Sequence, residues 1–339
     1  MSERHRVAIT GAGAVTAVVT GGADAIGRAL GSDTHADGER IDRALAELVD
    51  PTEARRLSRI SQLTLVAARL AVSDAGLEPD GALALIVGTE LGDLRSTIAF
   101  ADGYLGRGPS GLSPLLFPST VMNTMAAAAA ITLNARDLSL TINAPTVAGE
   151  LAIIRAAGVV AAGRTSTVLA GGVDEIDPTV ASLLGEARGR FAARGEGAAF
   201  VVLEPLDAAL ARGARVLGEI LGTASGALRA APYGVGRDAS PRLVVRALTQ
   251  AGTPAGALRA IYSGENGDTR RDAWEVHVLE GVAGDAHTVA LGRRFGQTSA
   301  LGALKVVAAA ESAPALVHGL ARGGSEVALV IGPAAVSRH

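Results

Sequence analysis

The sequence predicts an α/β protein in which a mostly parallel, buried sheet is covered by helices. Short β-branched runs alternate with longer Ala- and Leu-rich stretches along the 339 residues. The hydrophobic content of 48% is carried by Ala, Val, Leu and 43 glycines, with aromatics at only 3%, so the elements must pack closely on small side chains. No apolar run approaches the ~20 residues that cross a bilayer.

Strands are expected at Arg6 to Thr10, Leu83 to Gly88, Leu138 to Ile142, Thr167 to Ala170 and Ala198 to Leu203, where β-branched and aliphatic residues cluster between glycines and turn residues. Between them, helical spacing of apolar residues predicts helices over Ala54 to Ala75, Thr120 to Ala130 and Gly149 to Ala162. A second set follows: strands at Arg215 to Gly222 and Ala257 to Ser263, a helix from Ala273 to Leu279, a helical Ala300 to Leu320, and a final strand at Glu326 to Ile331. Gly11-Ala-Gly13 could open a dinucleotide-binding turn, but Thr16 replaces the third glycine and no acidic ribose partner follows. It reads better as a glycine turn leading the first strand into its helix.

Charge and composition exclude several classes. The net charge of −3 gives no basic footprint for nucleic acid. With no cysteine, disulfides, thiolate metal sites and iron–sulfur clusters are excluded, and no metal or cofactor is expected. The opening Met-Ser-Glu-Arg-His-Arg leads straight into a strand rather than a signal peptide, so a cytoplasmic protein without membrane association is expected. Positive charge is nearly all arginine, Lys305 being the only lysine. The groups Arg188/Arg190/Arg194 and Arg293/Arg294 could meet an acidic carrier protein or could be solvated surface.

Four segments in order carry a resemblance: Arg6-Val-Ala-Ile-Thr-Gly-Ala-Gly-Ala-Val-Thr, Leu85-Ile-Val-Gly-Thr-Glu-Leu-Gly-Asp-Leu, Ser113-Pro-Leu-Leu-Phe-Pro-Ser-Thr-Val-Met-Asn-Thr-Met-Ala and Arg194-Gly-Glu-Gly-Ala-Ala-Phe-Val-Val-Leu-Glu. They resemble the β-ketoacyl synthases of the thiolase fold. The resemblance implies two pseudo-duplicated βαβ halves, 1–205 and 206–339, in five layers (α-β-α-β-α). It also makes residues 139–175 the strand, elbow, helix and strand that hold the family's nucleophilic cysteine within Cys-Thr-Ser-Gly-x-x-Ala.

The catalytic set implied by the family is missing. The resemblance puts Val147 at the cysteine. Glu265 or Asn266, with Asn266 preferred, stands at the first catalytic histidine, and Asp272 and Glu275 keep the spacing that follows it. Gln297 stands at the second histidine, and Ala321-Arg-Gly-Gly replaces the Gly-Phe-Gly-Gly loop that gates the acyl pocket. His5, His35, His277, His287, His318 and His339 lie outside the motif positions and are expected at the surface or as satisfied core.

A ketosynthase-like chain without these residues resembles the chain length factor of type II polyketide synthases, in antibiotic-type polyketide biosynthesis. Such a subunit forms a heterodimer with a catalytic ketosynthase, serves an acyl carrier protein through that complex, and walls the tunnel that receives the growing chain. By this resemblance Leu116, Ser119, Thr120 and Met122 face the partner's tunnel, or simply pack at the interface. Two alternatives stay open. One is a divergent decarboxylase, acyltransferase or cyclase using Thr146, Glu265, Asn266 or Gln297 on carrier-bound substrates. The other is a homodimeric scaffold.

Overall fold

The computed structural model describes residues 4–32, 36–78, 81–179, 182 and 194–334. Among these, the strands are β1 (Val7–Thr16), β2 (Thr20–Gly22), β3 (Leu83–Thr89), β4 (Ser139–Asn143), β5 (Thr167–Asp174), β6 (Gly197–Pro205), β7 (Gly218–Ala227), β8 (Ala260–Tyr262), β9 (His287–Val289), β10 (Ala315–Leu320) and β11 (Ser325–Gly332). They form one sheet ordered β4-β3-β5-β6-β1-β7-β11-β10-β8-β9, with β2 paired to β1. Reading outward from the β1–β7 contact, each side repeats the same sequence of partners. An antiparallel neighbour comes first (β6 or β11), then a third strand antiparallel to it, then two parallel strands. The two sides join where Val7, Ala8 and Ile9 pair with Ile220, Glu219 and Gly218.

Side chains alternate across each strand, and this alternation builds the layers. On β3, β5 and β6, residues such as Ile86, Ala170 and Val201 face a central core with the helices Ala148–Ala161 and Leu301–Glu311. The intervening Leu85, Leu169 and Phe200 face an outer core with the helices Arg59–Asp74 and Thr124–Thr132. On the other half, Val317 and Leu329 join the central core, while Leu316 and Val330 pack outward with the Arg242–Ala251 helix. Helix, sheet, helix pair, sheet and helix make the five layers.

Several sequence expectations need correction. The sheet is mixed rather than mostly parallel, because β6 and β11 run antiparallel to both neighbours. The helix expected over Ala54 to Ala75 is two helices, Pro51–Ala54 capped by Asp50 and Arg59–Asp74, separated by a turn before Ser58. The helical reading of Ala300 to Leu320 stops at Glu311, and β10 follows; a run of small and β-branched residues cannot by itself separate buried helix from buried strand. Gly11 and Gly13 are not a turn but lie inside β1. A Cβ on Gly13 would come within 2.3 Å of Ala71 N, so these glycines let the Arg59–Asp74 helix cross directly on the strand backbone. The helices Ala23–Leu30, Gly38–Leu48 and Leu94–Arg107, and strand β9, were not foreseen.

Candidate functional site at the interhalf elbow

Strand β4 ends at Asn143, whose side-chain amide donates to the carbonyls of Thr89 (3.2 Å) and Glu90 (2.8 Å). After four intervening residues the Ala148–Ala161 helix begins. The chain reverses between them at Thr146, which has φ 69, a left-handed conformation that a β-branched residue adopts only under constraint. Such a strained strand-to-helix apex is how enzymes present a nucleophile above a sheet. Val147 follows at φ −121, its side chain fully buried against Ala321 and Val327. The residue at the apex is therefore Thr146, and the valine expected at the acceptor position points into the core.

Gly149 and Gly302 let the elbow helix meet the other half backbone to backbone. A Cβ on Gly149 would lie 2.0 Å from Ser299 O, and one on Gly302 would lie 2.6 Å from Glu150 N. Asp174 at the end of β5 fixes the same junction. One of its oxygens accepts from Thr89 Oγ1 (3.1 Å) and Glu90 N (2.8 Å), the other from Ser299 N and Oγ (both 2.7 Å).

Asn266 and Gln297, 31 residues apart, are brought together here. Asn266 Nδ2 donates to Gln297 Oε1 (2.7 Å), and Gln297 Nε2 donates to Thr146 O (3.3 Å). Both side chains are buried, and Asn266 Oδ1 accepts from Asp268 N (3.1 Å). The two amides thus form a latch from the second half to the elbow. Glu265 does not join it, being ion-paired with the exposed Arg293.

Beneath the elbow lies a charged cluster that the motif reading missed. Glu150, in the first turn of the elbow helix, pairs with Lys305 of the facing helix, and Lys305 Nζ also donates to His318 O (3.0 Å). The His318 ring sits between Glu275 (2.6 Å) and Glu326 (3.3 Å). Arg271 donates to Glu275 (3.0 Å), Leu320 O (2.8 Å) and Gly264 O (2.6 Å) and pairs with Asp272. Glu150, Lys305, Glu275, His318, Glu326 and Arg271 are each at most 2% exposed. The only sequence signal was the lone lysine and Glu275. His318 belongs to the satisfied-core class, whereas His5, His277 and His287 are exposed; His35, His339, Arg188 and Arg190 lie outside the described residues.

Burial pushes the Glu275 carboxyl up, but Arg271 and His318 outweigh it and hold it down at about 2. Burial opposes charging of His318, yet its hydrogen bonds to Glu275 and Glu326 raise its pKa. The stabilisation from His318 is therefore complete below its unfolded value of 6.5 and is lost as pH rises through the higher folded value. That from Glu275 is present above 4.5 and is lost as pH falls toward 2. Urea midpoints across pH are expected to fall on both limbs, and His318→Gln is expected to abolish the fall on the alkaline limb that His318 contributes. An unchanged alkaline limb in that variant would count against the assignment.

Leu116, Ser119, Thr120 and Met122 lie apart from the elbow, with no hydrogen bond to Thr146, Asn266 or Gln297 among the described residues. The first three are half-buried and Met122 is exposed. They belong to an apolar surface on which Leu115 is 89% exposed, Leu105 79% and Phe117 59%. Strand β4, at one edge of the sheet, has no partner on its outer side among the described residues. The Leu94–Arg107 helix contributes to this surface without burying a single residue, and was missed because its apolar residues show no strong face in the sequence.

This fold and elbow define a thiolase-like ketosynthase architecture. The family model of the β-ketoacyl synthase N-terminal domain matches residues 35–209, and the chain belongs to that family. It is 27% identical to a 3-oxoacyl-[acyl-carrier-protein] synthase 2 of Synechocystis sp., covering 85% of this chain and 80% of that protein. It is 27% identical to the enzyme of the same name from Staphylococcus aureus, covering 66% of this chain and 63% of that one. Among solved structures, the ishigamide ketosynthase/chain length factor matches with a TM-score of 0.84 at 23% identity, covering 98% of this chain and all of that one. A type II polyketide synthase acyl carrier protein in complex with its ketosynthase bound to the hexaketide matches at 0.81 and 18% identity, over 98% and 100%. No described helix is long and apolar enough to cross a membrane.

Proposed function

We propose that this chain is a non-catalytic ketosynthase-like subunit that pairs with a catalytic ketosynthase and shapes the tunnel for a carrier-bound polyketide chain. The observation that carries this reading is the amide latch at the elbow. Decarboxylative condensation needs a nucleophile that accepts the acyl group and groups that stabilise an enolate oxygen. Here the apex residue is Thr146, a neutral hydroxyl, and the side chains beside it, Asn266 and Gln297, are amides that cannot take its proton and that hydrogen-bond each other.

The likeness to the ishigamide ketosynthase/chain length factor and to a ketosynthase in complex with its acyl carrier protein supports the pairing. So does the exposed apolar surface near the β4 edge of the sheet, on which Leu105, Leu115 and Phe117 are uncovered. A ketosynthase of the same fold is the partner this surface fits, and Leu116, Ser119, Thr120 and Met122 are the tunnel-facing candidates within it. Cytoplasmic location and a role in antibiotic-type biosynthesis follow from the same reading.

Co-expression with the ketosynthase encoded nearest to it, followed by size-exclusion chromatography and condensation assays with malonyl-loaded carrier protein, tests the proposal. A 1:1 complex active only with both chains is expected, and Leu115→Glu should disperse it. Turnover by this chain alone, or self-association that persists when the ketosynthase is supplied, would overturn the reading.

A further inference from the structure

The Leu94–Arg107 helix has no buried residue along its 14 positions and otherwise packs on the turns that follow it, Gly103 on Gly111 and Phe100 on Phe117, so its N-terminal end is where it is tied to the sheet. Two carboxylates cap that end. Asp93 Oδ1 accepts from Ser96 N (3.0 Å), and Glu175, directly after β5, accepts from Arg95 N through Oε1 (3.2 Å). Asp93 is 3% exposed and Glu175 5%. In both, the second oxygen is buried with no hydrogen-bond partner among the described residues. A buried carboxylate oxygen left unsatisfied is costly, and two at one helix end compound the cost.

The charged groups around them do not relieve it. Arg95 Nε is 3.8 Å from Glu175 Oε2, while the guanidinium hydrogen-bonds to Ile176 O (2.5 and 3.2 Å). Glu196, at the start of β6, faces the same cluster, but its oxygens are held by Arg59 (2.9 and 2.7 Å) and Ile176 N (3.2 Å), and Arg59 also holds Asp42 (2.7 Å). Asp174, the last residue of β5, is committed to Thr89, Glu90 and Ser299. Among the described residues the carboxylates here therefore outnumber the arginines, and a proton on Glu175 is the simplest way to relieve the excess.

We propose that Asp93 and Glu175 form a proton-operated clamp on the root of the Leu94–Arg107 helix, closed while the Glu175 carboxyl is neutral and loosened when it ionises. Burial first, and Asp93 after it, push Glu175 up to about 7 against the lowering effect of Arg95 N. Because the folded value is raised above 4.5, the clamped state loses stability relative to a released one as pH rises from 4.5 to about 7, and the loss is complete above that. The helix forms part of the apolar surface assigned to the partner, so on the reading above partner capture weakens on the alkaline side.

The chain contains no cysteine, so Leu105→Cys accepts a single spin label on the exposed side of this helix. Electron paramagnetic resonance of the isolated chain is expected to show label mobility rising between pH 4.5 and about 7 and levelling off above that. In Glu175→Gln the label should stay slow across that range, and in Asp93→Asn the midpoint should move to lower pH, since Asp93 no longer helps to hold the proton on Glu175. Equal mobility on the two sides of that window, or an unchanged pH response in Glu175→Gln, would sink the clamp. Because the readout needs no ketosynthase, failure of the partner assignment leaves this test intact.

Discussion

Lys305→Met is expected to destabilise the chain by about 3–5 kcal/mol, the cost of stranding one charge of a buried pair. Lys305 is 2% exposed, and it neutralises Glu150 while donating to His318 O. The second oxygen of Glu150 already has no partner, so without the ammonium the whole carboxylate is buried and uncompensated at the base of the elbow helix. The methionine fills similar volume, which separates the loss of charge from the loss of packing. A Glu150→Gln, Lys305→Met double variant removes both charges and is expected to recover much of the loss in a urea titration. If the single and double variants unfold at the same midpoint, the pair is not coupled as described.

Gly149→Ala is expected to cost about 3 kcal/mol, at the upper end for a methyl forced into a filled core. The added carbon would sit 2.0 Å from Ser299 O, and that carbonyl cannot easily retreat because Ser299 N and Oγ are both held by Asp174 at 2.7 Å. Gly302 Cα would lie 3.4 Å from the same added carbon, and Gly302 itself abuts the backbone of Glu150, so there is no room beside Ser299. Gly158→Ala, on the same helix with nothing within 4 Å of the new carbon, is the control. It should stabilise by about 0.5–1 kcal/mol through helix propensity alone. Comparable losses for the two variants would show that helix composition, not the interhalf contact, controls the effect.

The layer structure was legible because its signal is local: buried strands bounded by glycine and separated by small-residue helices announce an α/β chain. Strand direction was not, since β6 and β11 carry the same apolar runs whether they pair parallel or antiparallel. The end of the helix at Glu311 was hidden for a similar reason, as Ala315–Leu320 is as apolar as the helix before it. At the site, motif spacing led to Asn266 and Gln297, whose contact with each other depends on tertiary structure. The apex was misread by one residue because left-handed backbone at a threonine leaves no trace in composition. The buried cluster of Glu150, Lys305, His318, Glu326 and Arg271 was illegible because each member comes from a different element, with only Arg271 and Glu275 close in sequence.

On the function proposed above, this chain would work beside acyl thioesters and poly-β-carbonyl chains, which are electrophiles. A thiol there would draw the chain off by transthioesterification, and a free amine would be acylated or condense to an imine. This chain has no thiol, and its one side-chain amine is sealed beneath the elbow in an ion pair with Glu150. Its other basic side chains are guanidinium groups, protonated at any physiological pH, and six imidazoles. The consequence is a surface that is cationic in places yet almost without amine or sulfur nucleophilicity, able to carry charge past a reactive intermediate without capturing it.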